Sequence, residues 1–314
     1  MTGQALPRRT RSYLNHVTDS RRWDRFVPRA GDILISTAPK CGTTWTQRIV
    51  SLLVFQSVEL PVPLVRISPW VDASFLALVV DCFPVIEEQA HRRFLKSHLP
   101  LDALPYYPEL KYITVARDGR DAFMSLWNHV RIFTPAAYEL LDRAAPSGQG
   151  PYERASDDIH EFWRTWIQGE NAPDSQPEIH LRMFDVVRSF WDFRRVENIL
   201  HVHYNDLKRD LDGEMRRIAA FLEIPVREES WGELVSAATF ASMKRDGPKL
   251  LEGIELVFEG GSRSFLHRGT NDRWRDVLGP GELADYDALV RRTCTPELAR
   301  WLEHGREGCD PRAI

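Results

Sequence analysis

Two short segments of the sequence carry side chains that could support transfer of a charged group. The first is APKCGTTW at residues 38–45, which lies between an apolar strand pattern and an apolar helix pattern. A strand that turns through a glycine into a helix presents free backbone N–H groups, and these bind anions together with the helix dipole. Around Gly42, Thr43 and Thr44 add hydroxyl donors and Lys40 adds a positive charge. The segment predicts a phosphate-binding loop, and the alternative is a plain surface turn.

The same loop lacks the Gly-Lys-Ser/Thr ending of nucleoside triphosphatases, because Lys40 precedes Gly42 by two positions. In those enzymes the serine or threonine holds the magnesium ion that bridges the terminal phosphates. No convincing Walker-type metal carboxylate follows a strand pattern in this sequence either. The loop is therefore suited to a phosphate ester whose transfer needs no metal.

The second segment is LKSHLP at residues 95–100, where His98 lies at the tip of a strand pattern. Histidine titrates near neutral pH, so a neutral imidazole can accept a proton from a hydroxyl group. Lys96, two residues earlier, points to the same side of an extended chain and could stabilise developing negative charge. His98 is thus a candidate general base, although most lone histidines in proteins are structural or lie on the surface.

A third set of side chains follows the strand pattern KYITVARD. Arg117 ends the strand and Ser125 lies on the following helix, so that a guanidinium and a hydroxyl can converge on one anion. The alternative for Arg117 is a salt bridge with Asp118 or Asp121. We expect Arg120, in the first turn of the same helix, to be a solvated charge.

The elements that must position these residues alternate along the chain. Strand patterns are predicted at residues 31–37, 92–98, 111–118 and 196–207, and helical patterns at 43–56, 119–130, 157–168, 181–195, 212–224 and 281–305. This alternation predicts a single α/β domain with a central parallel sheet flanked by helices, in which ligands bind beyond the carboxyl ends of the strands. Residues 133–156 mix Pro, Gly and Ser with a short helical piece and predict either a mobile lid or an idle surface loop.

Composition limits the class of partner. The chain has 314 residues, 27% of them charged and 43% hydrophobic, with a net charge of −4. This balance favours neither nucleic acid nor an anionic membrane, so any anion site must be local. No stretch has the length and hydrophobicity of a signal peptide or a transmembrane segment. The cysteines fit neither a zinc pattern nor a disulfide framework, which indicates reduced thiols in a cytoplasmic protein: Cys41, Cys82, Cys294 and Cys309.

Three blocks in a fixed order resemble one family. APKCGTTW is similar to the 5′-phosphosulfate loop of cytosolic-type sulfotransferases, which use 3′-phosphoadenosine 5′-phosphosulfate (PAPS). YITVARDGRDAFMSLWNH at 112–129 resembles their 3′-phosphate motif, and FLHRGTNDRWRDVL at 265–278 resembles their Arg-Lys-Gly…Trp signature. The likeness runs from about residue 23 to 305, and within the family the chain looks most similar to bacterial, especially actinobacterial, sulfotransferases. The segments WTQRIVSLLVF at 45–55 and HRRFLKSHLPLDAL at 91–104 resemble a mycobacterial type that acts on glycolipids. It implies a P-loop-like sulfotransferase domain at 23–314 after an N-terminal extension at 1–22.

The resemblance implies a role for each block in holding the donor without a metal. The implied residues are Lys40, Gly42, Thr43, Thr44 and Trp45 for the 5′-phosphosulfate side, with Trp45 near the adenine, then Arg117, Ser125, His267, Arg268 and Gly269 for the 3′-phosphate, and Tyr204, Thr239 and Phe240 for the adenine. Three positions depart from the family pattern: His267 replaces an arginine, Thr239 is offset by one position, and Asp272-Arg273 stands where Gly-Asp is usual. The 3′-phosphate end is therefore expected to be weaker or differently shaped.

The resemblance also implies a mechanism. The acceptor oxygen attacks sulfur while His98 removes its proton, Lys40 and Lys96 stabilise the developing charge, and adenosine 3′,5′-bisphosphate (PAP) leaves. The acceptor is expected to be a hydrophobic hydroxyl compound such as a phenol, alcohol, steroid or glycolipid. Its pocket has candidate walls that could equally be core: Trp70, Phe75, Trp127, Phe133 and Tyr138.

Other features of the sequence leave alternatives open. The short dimer motif of the family is absent from residues 244–261, so that mode of dimerisation is not expected, although an oligomer remains possible. Cys41 stands where the family commonly has serine, which leads to the hypothesis that its oxidation weakens donor binding. The competing functions are a P-loop nucleoside or small-molecule kinase and a nucleotide-binding homologue without catalytic activity.

Overall fold

The computed structural model describes residues 5–172 and 182–314 of the chain. Four parallel strands form its central sheet in the order β2-β1-β3-β4, where β1 is Ile33–Ser36, β2 is Phe94–Ser97, β3 is Lys111–Ala116 and β4 is Ile199–His203. The helices are α1 (Thr43–Phe55), α2 (Leu64–Ile67), α3 (Cys82–Glu88), α4 (Gly119–Val130), α5 (Pro135–Arg143), α6 (Ile159–Asn171), α7 (Met183–Trp191), α8 (Tyr204–Arg209), α9 (Leu211–Phe221), α10 (Glu228–Ala238), α11 (Phe240–Leu250), α12 (Gly261–Phe265), α13 (Pro280–Thr293) and α14 (Pro296–His304). The predicted α/β fold with a parallel sheet is confirmed. Residues 1–4 of the predicted extension and residue 181 of one predicted helix lie outside the described residues.

The sheet is buried on both faces. Ile33 and Ile35 of β1 belong to one core cluster, whereas Leu34 between them belongs to another. Because side chains alternate along a strand, the two clusters lie on opposite faces of the sheet. Helices α1, α9 and α10 cover the first face, and α4, α6 and α7 cover the second. A parallel sheet that is covered on both sides explains why the strands read as continuous apolar runs.

Strand order brings distant parts of the chain to one edge. β1 is an inner strand that pairs with β2 through Ser36 and Ser97 and with β3 through Ile35 and Ile113. The strands run in the same direction, so the residues that follow their carboxyl ends meet at the same edge. The candidate site lies at this edge.

The segment at 133–156 is built around α5. Thr134 is the N-cap of this helix, and its side chain accepts a hydrogen bond from the N–H of Ala137. The N–H of Thr134 donates to Val257 O at 2.9 Å, and Phe133 forms a β-bridge with Phe258. The predicted helical piece is therefore present, and its start is fixed against the turn before α12.

Two neighbouring helices, α10 and α11, have no counterpart among the predicted ones. Thr239 separates them and caps α11, and Pro248 lies inside α11. A capping residue and an internal proline both interrupt the apolar period on which a helix prediction depends. These helices still matter for the site, because Phe240 opens α11 at the cavity.

Part of the predicted N-terminal extension packs on the domain. Tyr13 and Val17 are buried, Thr18 forms a β-bridge with Ala73, and the N–H of Asp19 donates to Asp72 O at 2.8 Å. These contacts support the loop that carries Asp72. The domain boundary at residue 22 remains a prediction.

Candidate active site

A cavity of about 1050 Å³ opens at the carboxyl edge of the sheet. Lys40 follows β1 there, His98 follows β2 and Arg117 follows β3. The sequence-predicted residues that line this cavity are Lys40, Gly42, Thr43, Thr44, Trp45, Lys96, His98, Arg117, Ser125, Tyr204, Phe240, His267, Arg268 and Gly269. The sheet therefore gathers into one space residues that come from separate blocks of the sequence.

The loop between β1 and α1 has the geometry of an anion site. Gly42 is the N-cap of α1 with a φ of 116°, and Lys40 also has a positive φ, 65°. A Cβ added at position 42 would lie 3.1 Å from Cδ2 of the Tyr204 ring, so both φ and space favour glycine there. Thr43 and Thr44 then begin α1 at the cavity, where first-turn N–H groups have no partner within the helix.

The side chain of Lys40 is buried and points toward α4. Its Nζ donates to Nδ1 of His129 at 3.1 Å and lies 4.8 Å from the centroid of the Phe265 ring. Burial, reinforced by the charges of Lys96 and Arg117, lowers the pKa of Lys40 to about 7. An anion bound in the loop would favour the charged ammonium, so the lysine is poised to respond to one.

His98 is held in an orientation that suits a general base. Its Nδ1 lies 2.8 Å from the backbone oxygen of Thr37. A carbonyl oxygen can only accept, so Nδ1 carries the proton of the neutral ring and Nε2 is the nitrogen with the lone pair. The edge of the imidazole packs at 90° against Trp70, with ring centroids 4.8 Å apart. This contact fixes the plane of the ring beside the cavity.

Lys96 packs against the same tryptophan. Its Nζ is 4.1 Å from the centroid of the Trp70 ring, and burial lowers its pKa to about 8 against the opposing effect of Asp72. Asp72 is itself buried and accepts hydrogen bonds from Nε1 of Trp70 at 2.8 Å and of Trp23 at 3.2 Å. Asp72 was not predicted, although it orients the ring against which both His98 and Lys96 pack.

Arg117 is buried where the third strand meets the loop after α12. Its Nη2 donates to Thr270 O at 3.0 Å and to Asn271 Oδ1 at 2.7 Å, and its guanidinium lies 4.1 Å from the centroid of the Tyr204 ring. Ser125 lines the cavity on α4, four residues before His129 and so on the same helix face. The predicted pairing of Arg117 and Ser125 at one cavity is thus compatible with the structure.

The expectation for Arg120 is wrong. Arg120 forms a two-pronged ion pair with Asp118, donates to Glu303 at 2.9 Å and lies 4.1 Å from the centroid of a Trp274 ring, with only 12% of its side chain exposed. Asp118 caps α4, which brings it next to the first-turn arginine. Asp118 therefore pairs with Arg120, and the alternative ion pair between Asp118 and Arg117 does not form.

An aromatic slot lies beside the anion loop. Nε1 of Trp45 donates to Ala238 O at 2.8 Å, and its ring packs edge-on to Tyr204 with centroids 5.2 Å apart. Phe240 lies against Gly269, where an added Cβ would be 2.7 Å from the Phe240 ring and φ is 65°. These flat apolar surfaces suit a purine ring.

Thr239 lies outside this slot. It is the N-cap of α11, its hydroxyl donates to Ser236 O at 2.8 Å, and it does not line the cavity. The adenine contact predicted for it has no support in this geometry, because capping occupies the side chain.

The far part of the cavity is apolar. Of the predicted acceptor walls, Trp70, Phe75 and Phe133 line it. Trp127 and Tyr138 do not, and they donate to Ser156 O and Val130 O, respectively. Further apolar side chains that were not predicted complete the wall, and at the mouth some of them are more than half exposed: Val79, Val80 and Leu256.

Cys41 is buried beneath the anion loop. Burial raises the pKa of its thiol to about 12, so the reactive thiolate is scarce at neutral pH. It does not line the cavity, and the hypothesis that its oxidation controls donor binding gains no support.

A metal is not implied by the residues that the structure describes. Within 5–172 and 182–314, no group of three or more His, Cys, Asp or Glu side chains is arranged to hold a metal ion. Nor is any described helix long and apolar enough to cross a membrane.

Comparison with known proteins places this arrangement in a family. The family model for the sulfotransferase domain matches residues 30–296. The chain belongs to this sulfotransferase family. Its relatives include a glycolipid sulfotransferase of Mycobacterium tuberculosis, 32% identical over 95% of this chain and 96% of that protein, and sulfotransferase 2B1 of Homo sapiens, 27% identical over 84% and 66%. The predicted family is therefore confirmed.

Solved structures share the fold of this sulfotransferase-family chain. Mouse sulfotransferase SULT7A1 complexed with PAP superposes with a TM-score of 0.66, at 19% identity, over 90% of this chain and 92% of that one. Retinol dehydratase in complex with androsterone and PAP gives a TM-score of 0.64, at 20% identity, over 87% and 83%. At these identities the likeness establishes the architecture.

Proposed function

We propose that the protein transfers the sulfuryl group of PAPS to the hydroxyl of a hydrophobic acceptor and releases PAP. The observation that carries the proposal is one cavity in which a cationic, glycine-turned anion loop, an oriented histidine and an apolar wall meet. Relatives that are named sulfotransferases, and family structures that hold PAP, support this assignment of donor and reaction.

The residues divide the chemistry of one in-line step. The acceptor oxygen forms a bond to sulfur while Nε2 of His98 takes the hydroxyl proton. The bond between sulfur and the bridging oxygen of the donor breaks, and its electron pair leaves on the 5′-phosphate of PAP. Lys40 and the N–H groups that begin α1 stabilise the charge on that phosphate, and Lys96 stabilises the sulfuryl group in transit.

The acceptor end indicates an amphipathic lipid more than a small phenol. The cavity continues from His98 along Trp70, Phe75 and Phe133 to the exposed apolar residues at its mouth, Val80 and Leu256. A chain of methylene groups would remove these side chains from water, which is favourable in proportion to the area covered. We therefore propose a glycolipid hydroxyl as the acceptor, as in the name of the mycobacterial relatives. The free thiols of all four cysteines fit the proposed cytoplasmic location.

Calorimetry separates this function from the competing ones. PAP should bind tightly without magnesium, and ATP weakly with or without it. A preference for Mg-ATP would indicate a kinase, and PAP binding without sulfate transfer from labelled PAPS to any phenol, sterol or glycolipid would indicate a non-catalytic homologue. Transfer to a glycolipid with a lower KM than to a phenol would support the proposed acceptor.

A further inference from the structure

Two arginines at the donor end of the cavity form no ion pair with an acidic side chain of the described residues. Arg268 and Arg273 both line it, and among the described residues neither makes a hydrogen bond, an ion pair or a ring contact. The next arginine along the chain differs, because Arg275 donates to Asp272 at 2.9 Å and lies over Trp274. An unpaired guanidinium that faces a cavity is suited to an anionic ligand.

The position of Arg273 is fixed by the segment before it. Arg117 donates to the backbone oxygen of Thr270 and to the side chain of Asn271, which in turn donates to Asn205 at 2.7 Å. The N–H of Asp272 then donates to Asp121 Oδ1 at 2.8 Å, and Asp272 has a φ of 65°. This turn holds Arg273, the first residue of the 3₁₀ helix Arg273–Asp276, close to Arg117.

Like charges therefore converge at this point. Arg273 is half-buried, and its pKa is lowered by burial and by the neighbouring charges of Arg117 and Arg268, against the smaller opposing effect of Asp121. Burial and the charges of Arg273, Arg268 and Lys244 lower the pKa of His267, which disfavours a further positive charge at this point. The arrangement is unfavourable in the empty protein and becomes favourable when an anion enters.

Arg117 alone has few donors left for such an anion. Its Nη2 already serves Thr270 and Asn271, which leaves Nε, a buried atom without a partner, and Nη1, 3.5 Å from Lys40 O. A terminal phosphate carries a charge near −2 and three acceptor oxygens. Further donors from other side chains are needed to satisfy it.

The family resemblance already implies that Arg117 and Arg268 contact the 3′-phosphate of the donor. We propose that Arg273, which the family pattern does not supply, is a further ligand of that phosphate and raises the preference of this site for nucleotides that carry it. This inference rests on the proposed function, since it assumes a donor with a phosphate at the 3′ position. The selectivity arises because, without that phosphate, the three guanidinium groups repel one another, and Asp121 offsets this repulsion only enough to leave the pKa of Arg273 lowered.

The test compares two ligands on three proteins. Calorimetry measures the Kd of PAP and of adenosine 5′-monophosphate for the wild type, for R273Q and for the matched control R275Q, which lies on the same turn and is exposed. In R273Q we expect PAP to bind roughly tenfold to a hundredfold more weakly and the monophosphate to change less than twofold. R275Q should leave both within twofold, and R273K should recover part of the affinity for PAP.

The outcomes distinguish this inference from the proposed function. Equal losses for both ligands in R273Q would mean that Arg273 only maintains the shape of the site, and unchanged affinities would mean that it makes no contact; either result overturns the inference. If the wild type binds PAP no better than the monophosphate, the proposed donor is wrong and the inference fails with it. A thermal melt of R273Q that matches the wild type shows that a selective loss is not due to unfolding.

Discussion

The donor end and the acceptor end of the cavity are built in different ways. At the donor end, backbone turns and charged groups hold fixed positions: Gly42 in its left-handed turn, Arg117 bonded to the loop after α12, and Gly269 against Phe240. At the acceptor end, apolar side chains such as Val80 and Leu256 come from surface segments and are partly exposed. A phosphate needs donors at defined distances, whereas a lipid chain needs only an apolar surface. The first requirement constrains sequence locally, and the second does not.

The largest effect should come from replacing His98, which lies between the donor end and the acceptor end of the cavity. H98Q keeps the size and polarity of the side chain but removes the nitrogen that takes the acceptor proton. We expect the turnover number to fall roughly 10²–10⁴-fold, as for loss of a general base, while the Kd of PAP stays within twofold. Rate measurements with labelled PAPS and calorimetry with PAP check the two parts.

A matched histidine serves as the control for that variant. His91 lies before β2, and its Nδ1 is 2.9 Å from Arg92 O, outside the cavity. H91Q should retain turnover. Undiminished turnover in H98Q would remove His98 from the role of base. A loss of PAP affinity in parallel with the loss of turnover would place His98 in the donor site.

The sequence predicted the donor end of the cavity better than the acceptor end. Lys40, His98 and Arg117 each directly follow a strand or its loop, so a prediction of parallel strands was enough to bring them together. Asp72 and His129 were missed. Asp72 lies outside the three blocks, and His129 ends the block at 112–129 without a role predicted for it. Their roles depend on contacts between distant segments: Asp72 with Trp23, and His129 with the Lys40 side chain.

The acceptor wall was predicted less well for a physical reason. An apolar residue in a loop has the same sequence signature whether it enters the core or a cavity. Trp70 lines the cavity, whereas Trp127 donates its indole N–H to Ser156 O at 3.1 Å. The pattern did not distinguish them, because burial against protein and exposure to a ligand both favour large apolar side chains.

The next largest effect should come from Gly269, where the donor end of the cavity is closely packed. G269A would bring a Cβ to 2.7 Å from the Phe240 ring at a φ of 65°. Strain and displacement of Phe240 together should weaken PAP binding roughly tenfold to a hundredfold. Gly148 also has a positive φ, 87°, but nothing lies within 4 Å of an added Cβ there. If G148A and G269A weaken PAP binding equally, backbone strain alone is responsible and the contact with Phe240 is unimportant.

Donor binding should also depend on pH through Lys40. In the donor-free protein its pKa is about 7, with Lys96 and Arg117 as the charges that oppose protonation and with His129 as a buried neutral acceptor. A bound phosphate favours the ammonium, so binding takes up a proton when the pH is above 7. The affinity for PAP should therefore be greatest below pH 7 and fall, by at most about tenfold per pH unit, as the pH rises through that value.

Calorimetry of PAP in two buffers of different ionisation enthalpy measures that proton uptake directly. The variant K40R keeps the charge at all accessible pH values and should abolish the uptake. Lys96 has a pKa of about 8 and lies by Trp70, so uptake that persists in K40R would assign the titration to Lys96 instead.

A smaller effect should appear at the acceptor mouth. Leu256 is 71% exposed and lines the cavity. L256D should raise the KM for a long-chain glycolipid about fivefold through the loss of roughly 1 kcal/mol of apolar contact, with little change for a short phenol. Leu6, exposed but outside the cavity, provides the control L6D. Equal changes for both acceptors would show that the mouth does not contact the lipid chain.

The smallest effect is expected at a residue inside the donor loop. Cys41 is buried, and its thiol has a pKa of about 12, so iodoacetamide should react with it slowly and leave the Kd of PAP unchanged. Intact-mass measurement with peptide mapping identifies which thiols are modified, and C41S should bind PAP as the wild type does. Loss of PAP affinity in step with modification of Cys41, prevented by PAP itself, would contradict this expectation. It would mean that the loop opens enough to expose its core, and the donor end would then be less rigid than the hydrogen bonds of Arg117 and the turn at Gly42 indicate.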